Sequence, residues 1–355
     1  MDKKTRPEKW IALFFAILFG LTVFCSAVTF IVDPFFQYRV KENNAYMLNG
    51  RYVSAGLIKN YDYDTIFIGS SMIQNNNADV IRSELKAKPL NIGVGGMNTD
   101  LEIKYIELAN KTGRAKDYYI CIDIANFTKT EQDETKAYLI EDGFPAKLQY
   151  SFSYESWFRF IPVDIGLSLV KKTGVNLPVK FQERTSIDRL EYWASDFEFS
   201  EKAAIDNYLS KRYNVSAVDT NNLQNRMLEN ADEFIEAIDF SKGNYTFFFP
   251  PYSSLFWSHA QENNYFAEYV KTKEYCIEKL CEKGARVFDF QAQGFTMDLN
   301  NYKDMTHYSP EINDYMIRCF ADGECSVSPV NSSKNTQQLK ENTLKFKMQH
   351  SELFE

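Results

Sequence analysis

The chain has 355 residues, a formal net charge of −8 and 15% aromatic residues. The negative charge excludes a typical nucleic-acid-binding protein, because affinity for phosphates needs clustered lysine and arginine. Three histidines are too few for a multi-histidine metal centre, and the sequence indicates neither a metal nor an organic cofactor. Apart from an apolar N-terminal segment and a polar C-terminal one, about 290 residues remain, which fit one large α/β unit.

The first 32 residues predict a membrane anchor. Basic residues in positions 1–9 precede an uncharged run from Trp10 to Val32. As a helix that rises about 1.5 Å per residue, this run is long enough to span the ~30 Å hydrocarbon core of a bilayer. The basic flank predicts that residues 1–9 are cytoplasmic and that the rest of the chain lies outside the plasma membrane. The alternative is a cleaved signal peptide, with its cleavage site at Cys25-Ser26-Ala27.

Beyond the anchor, residues 33–60 show little periodicity and are predicted to form a stalk and entry segment. From residue 61, short apolar strands alternate with amphipathic helices, which predicts a three-layer α/β domain with a mostly parallel sheet over residues 61–330. The predicted strands are Thr65–Ile68, Leu90–Ile92, Tyr118–Ile124, Thr246–Phe249 and Arg286–Phe290. The predicted helices are Ala78–Lys86 after a capping Asn77, one capped by Thr99 that ends at Gly113, Gln261–Lys283, and one that begins at Ser309-Pro310.

A long segment, at about residues 128–223, interrupts the alternation and is rich in aromatic residues, Trp193 among them. Two interpretations stay open: a helical insertion that packs on the edge of the sheet, and a cap over a substrate cleft. Residues 331–355 are polar and are predicted to be a disordered tail. Cys319 and Cys325 flank a turn and are close enough in sequence to pair in an oxidising compartment.

A candidate nucleophile follows the first strand, in the turn Gly69-Ser70-Ser71. Catalytic groups of open parallel sheets gather at the carboxyl ends of strands. A serine at this position benefits from nearby backbone N–H groups and from the positive end of the following helix, which stabilise an oxyanion. By itself, such a turn is common and carries little weight.

Candidate partners for a serine lie near the other end of the chain, where Asp304 precedes His307 by three residues in a polar loop. Serine hydrolysis needs an imidazole to accept the hydroxyl proton and a carboxylate to orient that imidazole. A histidine near a helix start can also be purely structural. His259, beyond the fourth strand, either lines the same rim or begins the next helix. Asp123 is interpreted as a polar residue at a strand end.

Together these motifs resemble the SGNH/GDSL hydrolase superfamily: strand–Gly-Ser-Ser, then Asn91–Gly96, then the late Asp-x-x-His. The segments Val32–Phe35, Phe247–Ser253 and His307–Asn313 resemble one bacterial, membrane-anchored branch that is distantly similar to the teichoic-acid D-alanylation protein DltD. The resemblance covers roughly residues 30–320. It implies an SGNH-like, flavodoxin-like sheet.

The resemblance also implies roles for individual residues. Ser71 would be the nucleophile, His307 the base and Asp304 the group that orients it. The backbone N–H groups of Ser71 and Gly96 would form two parts of an oxyanion hole, with Gly95 beside them. The family's Gly-x-Asn-Asp motif is absent at the end of the third strand, and Asn126 is the residue available to replace its asparagine. An ionised aspartate, such as Asp123, cannot donate there.

The function that follows is an extracytoplasmic serine-dependent O-acyl esterase or acyltransferase acting on a cell-surface polysaccharide or a teichoic-acid-like polymer. The altered oxyanion position leaves an alternative open, a catalytically weak accessory or glycan-binding protein. A third interpretation is an esterase released by signal cleavage. The resemblance implies a membrane-bound O-acyltransferase as a partner.

Overall fold

The computed structural model describes residues 7–41, 45–128, 133, 135–176, 185–211, 218 and 220–354. In this part of the chain, thirteen α-helices and six strands form an α/β fold. Residues 1–6 of the predicted cytoplasmic segment and parts of the predicted insertion lie outside the described residues.

The strands are β1 Thr65–Gly69, β2 Pro89–Gly93, β3 Asp117–Cys121, β4 Asn244–Phe249, β5 Arg286–Asp289 and β6 Ser326–Val327. The helices that precede β4 are α1 Pro7–Val32, α2 Gly50–Asn60, α3 Ala78–Leu85, α4 Thr99–Thr112, α5 Ala137–Ile140, α6 Phe144–Ser151, α7 Ile161–Lys172, α8 Glu201–Lys211 and α9 Leu223–Glu236. The helices that follow β4 are α10 Ser254–Glu262, α11 Phe266–Glu282, α12 Pro310–Asp322 and α13 Ser332–Gln349.

One six-stranded sheet forms the centre of the fold, with the strand order β2-β1-β3-β4-β5-β6. The first five strands run parallel and only β6 is antiparallel to its neighbour. Their apolar side chains are buried, as expected for a parallel sheet covered by helices. Because β2 and β3 lie on opposite sides of β1, the connections after β1 and β3 diverge and leave a crevice at the carboxyl edge of the sheet.

Helices pack around this sheet in two connected groups. Helix α3 contacts α12, while α4 contacts both α2 and α9, and α9 contacts α11. A buried ion pair joins α11 to β5, with Lys273 Nζ 2.7 Å from Asp289 Oδ2. The sulfur atoms of Cys319 and Cys325, on either side of the turn before β6, lie 3.8 Å apart as free thiols.

Two predicted elements end elsewhere in the structure. Strand β3 stops at Cys121, and a 3₁₀ helix over Ile124–Thr128 follows it, so the prediction of a strand to Ile124 is wrong. The predicted helix Gln261–Lys283 is also wrong, because α10 ends at Glu262 and α11 begins at Phe266. Asn264 between them has a φ of 57°, a left-handed conformation that asparagine tolerates better than most residues and that ends the first helix.

The predicted helix caps are confirmed in one of two cases. The Asn77 side chain accepts a hydrogen bond from the backbone N–H of Asp79 at the start of α3. Helix α4 is capped by Asn98, whose side chain accepts from Leu101 N at 3.1 Å, and Thr99 is its first residue. Asparagine and threonine both favour this position, and sequence alone does not choose between neighbours.

The prediction that residues 33–60 form a stalk and entry segment is wrong as regards the stalk, because the described residues 33–41 and 45–60 are packed into the domain. The buried Asp33 carboxylate accepts the backbone N–H groups of the next turn, those of Gln37, Tyr38 and Arg39. Phe35 and Phe36 are fully buried. A Cβ atom added to Gly56 of α2 would lie 2.0 Å from the Phe35 carbonyl oxygen, so glycine permits this close packing. A helix buried on most of its surface shows no amphipathic period.

The prediction of a disordered tail is also wrong, since residues 332–349 form α13, which contacts α10 and α11. Thr336, Leu339 and Phe346 are buried, and the Asn342 side chain donates to the Ala292 carbonyl at 3.0 Å. Polar residues therefore make up most of the surface of this helix, while a few buried side chains attach it to the domain.

Helix α1 is long and apolar enough to cross a membrane. Most of its large apolar side chains are exposed. Its C-terminal third also touches the domain, because α1 contacts α6 and α7. Helix α1 and the domain are thus packed together rather than joined by an extended linker.

Candidate active site

The structure brings the three triad candidates into one hydrogen-bonded chain. Ser71 Oγ lies 2.7 Å from His307 Nε2, and His307 Nδ1 lies 2.9 Å from Asp304 Oδ2. Because the ionised carboxylate accepts the Nδ1–H hydrogen, Nε2 is left as an acceptor for the serine hydroxyl. This geometry is that of a nucleophile, a general base and an orienting carboxylate.

Ser71 is presented by the end of β1. The strand ends at Gly69, and a 3₁₀ turn over Ser71–Ile73 follows. A Cβ atom added to Gly69 would lie 2.5 Å from the Cβ of Cys121 on β3. Only glycine therefore allows β1 and β3 to approach as closely as they do at this edge, directly before the serine.

The two adjacent serines have different surroundings. The buried Ser70 hydroxyl accepts a hydrogen bond from Met72 N and donates one to Asp123 Oδ2 at 3.3 Å. Ser71 is partly exposed and contacts the histidine. Ser70 therefore caps and fixes the turn, while Ser71 has the only hydroxyl of the pair positioned for chemistry.

Three polar contacts attach the distant histidine segment to the serine turn. The Tyr308 hydroxyl donates to the Met72 carbonyl at 2.8 Å, and Asn313 Nδ2 donates to the same oxygen at 3.1 Å. Asn313 also donates to Asn76 Oδ1 at 2.8 Å. Both partners of each bond are buried. Well-shielded hydrogen bonds therefore hold together Ser71 and His307, which are 236 positions apart in the chain.

The charge of Asp304 is strongly stabilised. Burial by itself disfavours the ionised carboxylate, but the His307 hydrogen bond and the charges of His307 and Lys303 hold the pKa of Asp304 far below its usual range. Lys303 Nζ lies 3.2 Å from Asp304 Oδ2. A carboxylate that stays ionised keeps the imidazole in one tautomer and stabilises its protonated form.

Asp123 lies beneath the serine turn and is partly buried. It accepts hydrogen bonds from Ser70 and from the Tyr252 hydroxyl. Burial raises the pKa of Asp123, in opposition to the Tyr252 hydrogen bond and the nearby charge of His307. These contacts join the ends of β1, β3 and β4, as its interpretation as a strand-end polar residue predicts.

The predicted insertion supplies a residue to this site that sequence reasoning did not place there. Trp193 Nε1 donates to the Ser71 carbonyl at 3.2 Å, and its ring meets the His307 ring edge-on, with 5.4 Å between centroids. Lys303 Nζ lies 4.8 Å from the centre of the Trp193 ring. Aromatic content marked the insertion in the sequence, but nothing local indicated which aromatic side chain reaches the serine.

The loop after β2 contains the predicted oxyanion residues. Gly95 and Gly96 are exposed, and Gly96 has a φ of 65°, which favours glycine. Arg51 Nη2 lies 3.3 Å from the carbonyl oxygen of each. Asn126 Nδ2 donates to the Met97 carbonyl at 2.8 Å. This bond uses one of its two amide hydrogens to hold the loop in place.

The other two histidines lie outside the hydrogen-bonded chain of Ser71. His259 is buried in α10, where its Nδ1 lies 3.4 Å from the Tyr208 hydroxyl. His350 stacks on Phe346, with 4.4 Å between ring centroids. The one group of potential metal ligands among the described residues combines Cys319 with two exposed acidic side chains, Asp322 and Glu324. It lies in the turn before β6 and contributes nothing to the serine site.

The fold and the site thus define an α/β protein with a hydrogen-bonded serine, histidine and aspartate at the carboxyl edge of its sheet. No family model and no curated protein matches the chain. The geometry of the site is therefore the main basis for a proposed function.

Proposed function

We propose that the protein is a serine-dependent O-acyl esterase or acyltransferase that acts on a polysaccharide or a teichoic-acid-like polymer at the bacterial cell surface. The observation that carries this proposal is the continuous chain from Ser71 Oγ through His307 to Asp304, at distances of 2.7 and 2.9 Å. The resemblance to SGNH/GDSL hydrolases, including their three-layer architecture, supports the same reaction class.

The contacts support a two-step reaction. Ser71 Oγ attacks an ester carbonyl while His307 Nε2 accepts the hydroxyl proton, and the imidazolium is stabilised by Asp304. Nε2 then gives its proton to the departing alcohol, which leaves an acyl-serine. Water or a sugar hydroxyl attacks this ester and loses its proton to Nε2, and the acyl group passes to that oxygen. Backbone N–H groups of Ser71 and Gly96 would stabilise the oxyanion of each intermediate.

Membrane placement completes the proposal. The basic residues before α1 favour a cytoplasmic N-terminus, which places the domain on the outer side of the plasma membrane. A polymer on that side would have direct access to the partly exposed Ser71. The partner implied by the resemblance, a membrane-bound O-acyltransferase, would supply or receive the acyl group.

A second candidate function is an accessory or glycan-binding protein with little turnover. One contact favours it: the Asn126 amide donates one of its two hydrogens to the Met97 carbonyl, which leaves at most one for a third oxyanion donor. The loss of one such donor costs about 10²–10³-fold in kcat in serine hydrolases.

Hydrolysis of an aryl acetate separates the two candidates. The full chain is used, because both α1 and α13 pack on the domain. The enzyme proposal expects turnover that is abolished in Ser71→Ala and His307→Ala and retained in Ser70→Ala, which is the matched control. If none of the four proteins hydrolyses the ester, or all four do so equally, the enzyme proposal is wrong and the accessory function is favoured.

A further inference from the structure

Part of the domain lies beside the membrane-spanning helix rather than above it. The ring of Trp157 lies 6.1 Å from that of Phe24 in α1, and the Thr29 hydroxyl donates to the Ser151 carbonyl at 3.4 Å. Phe24 lies eight residues before Val32, so it is about 12 Å below the end of α1 at a rise of ~1.5 Å per residue. If α1 spans a bilayer, Trp157 lies at the depth of the outer leaflet.

The chain around Trp157 has an apolar exposed surface. It comprises α6, a π-helical turn over Ser156–Phe160, and α7. We call this surface the α6–α7 face. Its most exposed large apolar and aromatic side chains are Phe144 (76%), Tyr154 (71%), Phe158 (75%) and Leu169 (59%), with Phe152 and Ile165 nearly half exposed. The Tyr154 and Phe158 rings stack, with 5.1 Å between centroids. Exposed apolar side chains concentrated in one segment are typical of surfaces that contact a partner or a membrane.

The polar side chains of this segment are divided between the exposed surface, which carries Lys147, Gln149 and Arg159, and the side that faces the domain. Asp164 of α7 is buried and accepts the backbone N–H of Met47 at 2.8 Å, and the Ser153 hydroxyl donates to the buried Ser156 hydroxyl at 2.6 Å. Helix α7 thus buries Ile161, Asp164 and Leu167 against the domain and leaves the apolar Val163, Ile165 and Leu169 exposed. Its twelve residues, about 18 Å, are too few to cross a ~30 Å hydrocarbon core.

Basic side chains mark the level at which α1 leaves the apolar layer. Arg39 Nη2 lies 2.7 Å from the Phe30 carbonyl and Lys41 Nζ lies 2.7 Å from the Ile31 carbonyl. Lys171 and Lys172 end α7. Basic side chains at the end of a membrane-spanning helix lie at the level of the lipid phosphate groups. Their long stems allow the charged ends to reach these phosphates.

We propose that the α6–α7 face is embedded in the outer leaflet of the same bilayer that α1 crosses, with acyl chains of lipids against Phe144, Tyr154 and Phe158. Continuity with α1 at the depth of Phe24 favours lipid over a protein partner, because any occupant there is surrounded by acyl chains. The inference depends on the membrane anchoring proposed above and is independent of the serine chemistry. It makes the domain an interfacial one, held by a second membrane contact.

Tryptophan quenching by brominated lipids tests the inference with the full chain in phosphatidylcholine vesicles. The chain has four tryptophans, and three single variants are compared with the unmodified protein. Trp157→Phe removes the reporter at the α6–α7 face, and Trp10→Phe removes the one at the start of α1. Trp257→Phe removes one that is fully buried in the core and whose Nε1 has no hydrogen-bond partner among the described residues.

The measured quantity is the part of the tryptophan emission that brominated lipids quench. We expect it to be smaller in Trp157→Phe and in Trp10→Phe than in the unmodified protein, and unchanged in Trp257→Phe. A loss in Trp10→Phe alone would show that α1 is anchored and would overturn the inference. No loss in either would refute the membrane anchoring itself. The two failures are therefore distinguishable.

A photo-crosslinking side chain identifies the occupant directly. Benzoylphenylalanine is introduced in place of Phe158, and the protein is irradiated in cell membranes. The control carries the same side chain in place of Val330, which is 92% exposed near the C-terminal end of the domain. Lipid adducts at Phe158 and none at Val330 are expected. A protein adduct at Phe158, with another protein or with a second copy of the chain, would overturn the inference.

Discussion

His307 Nε2 lies 2.7 Å from Ser71 Oγ, although the two residues are separated by 236 positions in the chain. The contact is formed where the end of β1 meets the loop before α12. It is fixed from below by the hydrogen bonds of Tyr308 and Asn313 to the Met72 carbonyl. A hydroxyl held at hydrogen-bonding distance from a base is the arrangement that activates serine as a nucleophile.

Removal of the Asp304 charge should disable the base. In Asp304→Asn the amide cannot stabilise the imidazolium, and the neutral histidine no longer has a fixed tautomer. We expect kcat for an aryl acetate to fall by roughly 10⁴-fold, with little change in melting temperature. Asp298→Asn is a suitable control, because that carboxylate caps Asn300. An Asp304→Asn variant with the kcat of the unmodified protein would contradict the assigned role.

Trp193 should contribute to activity through its two contacts with the site. Trp193→Phe keeps an aromatic ring but loses the hydrogen bond to the Ser71 carbonyl, which is worth about 0.5–1.5 kcal/mol. We expect kcat/KM to fall by about 2- to 10-fold in Trp193→Phe, and further in Trp193→Ala. Trp157→Phe, a change at the α6–α7 face, should leave kcat/KM unchanged. Equal activity of Trp193→Ala and the unmodified protein would show that the insertion serves another purpose.

Asp164 should make stability depend on pH. Burial raises the pKa of its carboxyl to about 7, above the value of about 3.9 expected in the unfolded chain. Between these two pKa values the folded state binds a proton at Asp164 that the unfolded state does not bind. The contribution of this proton to the free energy of unfolding is complete below pH 4 and is lost as pH rises through 7.

The measurement is the melting temperature between pH 4 and 8. The unmodified protein should lose stability over this range, and Asp164→Asn should lose less, because its neutral amide keeps an acceptor for the Met47 N–H. The difference at pH 8 is expected to be at most about 4 kcal/mol, from ~1.4 kcal/mol per pKa unit. Parallel curves for the two proteins would show that this carboxyl is ionised in the folded state.

Local sequence patterns were sufficient for the five parallel strands, though not for the short antiparallel β6, and for the approximate positions of Ser71 and His307. Apolar strands followed by turns identify the carboxyl edge of a parallel sheet, and groups at that edge converge wherever they lie in the chain. The pattern predicted neither the hydrogen bonds of Tyr308 and Asn313 nor the split between α10 and α11. These depend on side-chain packing and on a single left-handed residue, Asn264.

Composition misled the predictions at both ends of the domain. The segment after α1 was predicted to be a stalk, although the Asp33 carboxylate organises its turn and Gly56 lets α2 pack closely. The polar tail is a helix because Thr336, Leu339 and Phe346 recur at intervals of three and seven and are buried together. Such sparse spacing is a usable signal, but average polarity conceals it. Trp193 lies in an irregular segment, so its contact with Ser71 has no sequence period at all.

The most direct test of the serine chemistry is the position of a fluorophosphonate adduct on the full chain. Peptide fragmentation distinguishes Ser71 from Ser70, which has the same hydroxyl group but is hydrogen-bonded to Asp123. Our account predicts one adduct, on Ser71, that is retained in Ser70→Ala and lost in Ser71→Ala and His307→Ala. An adduct on Ser70, or no adduct on the folded protein, would contradict it.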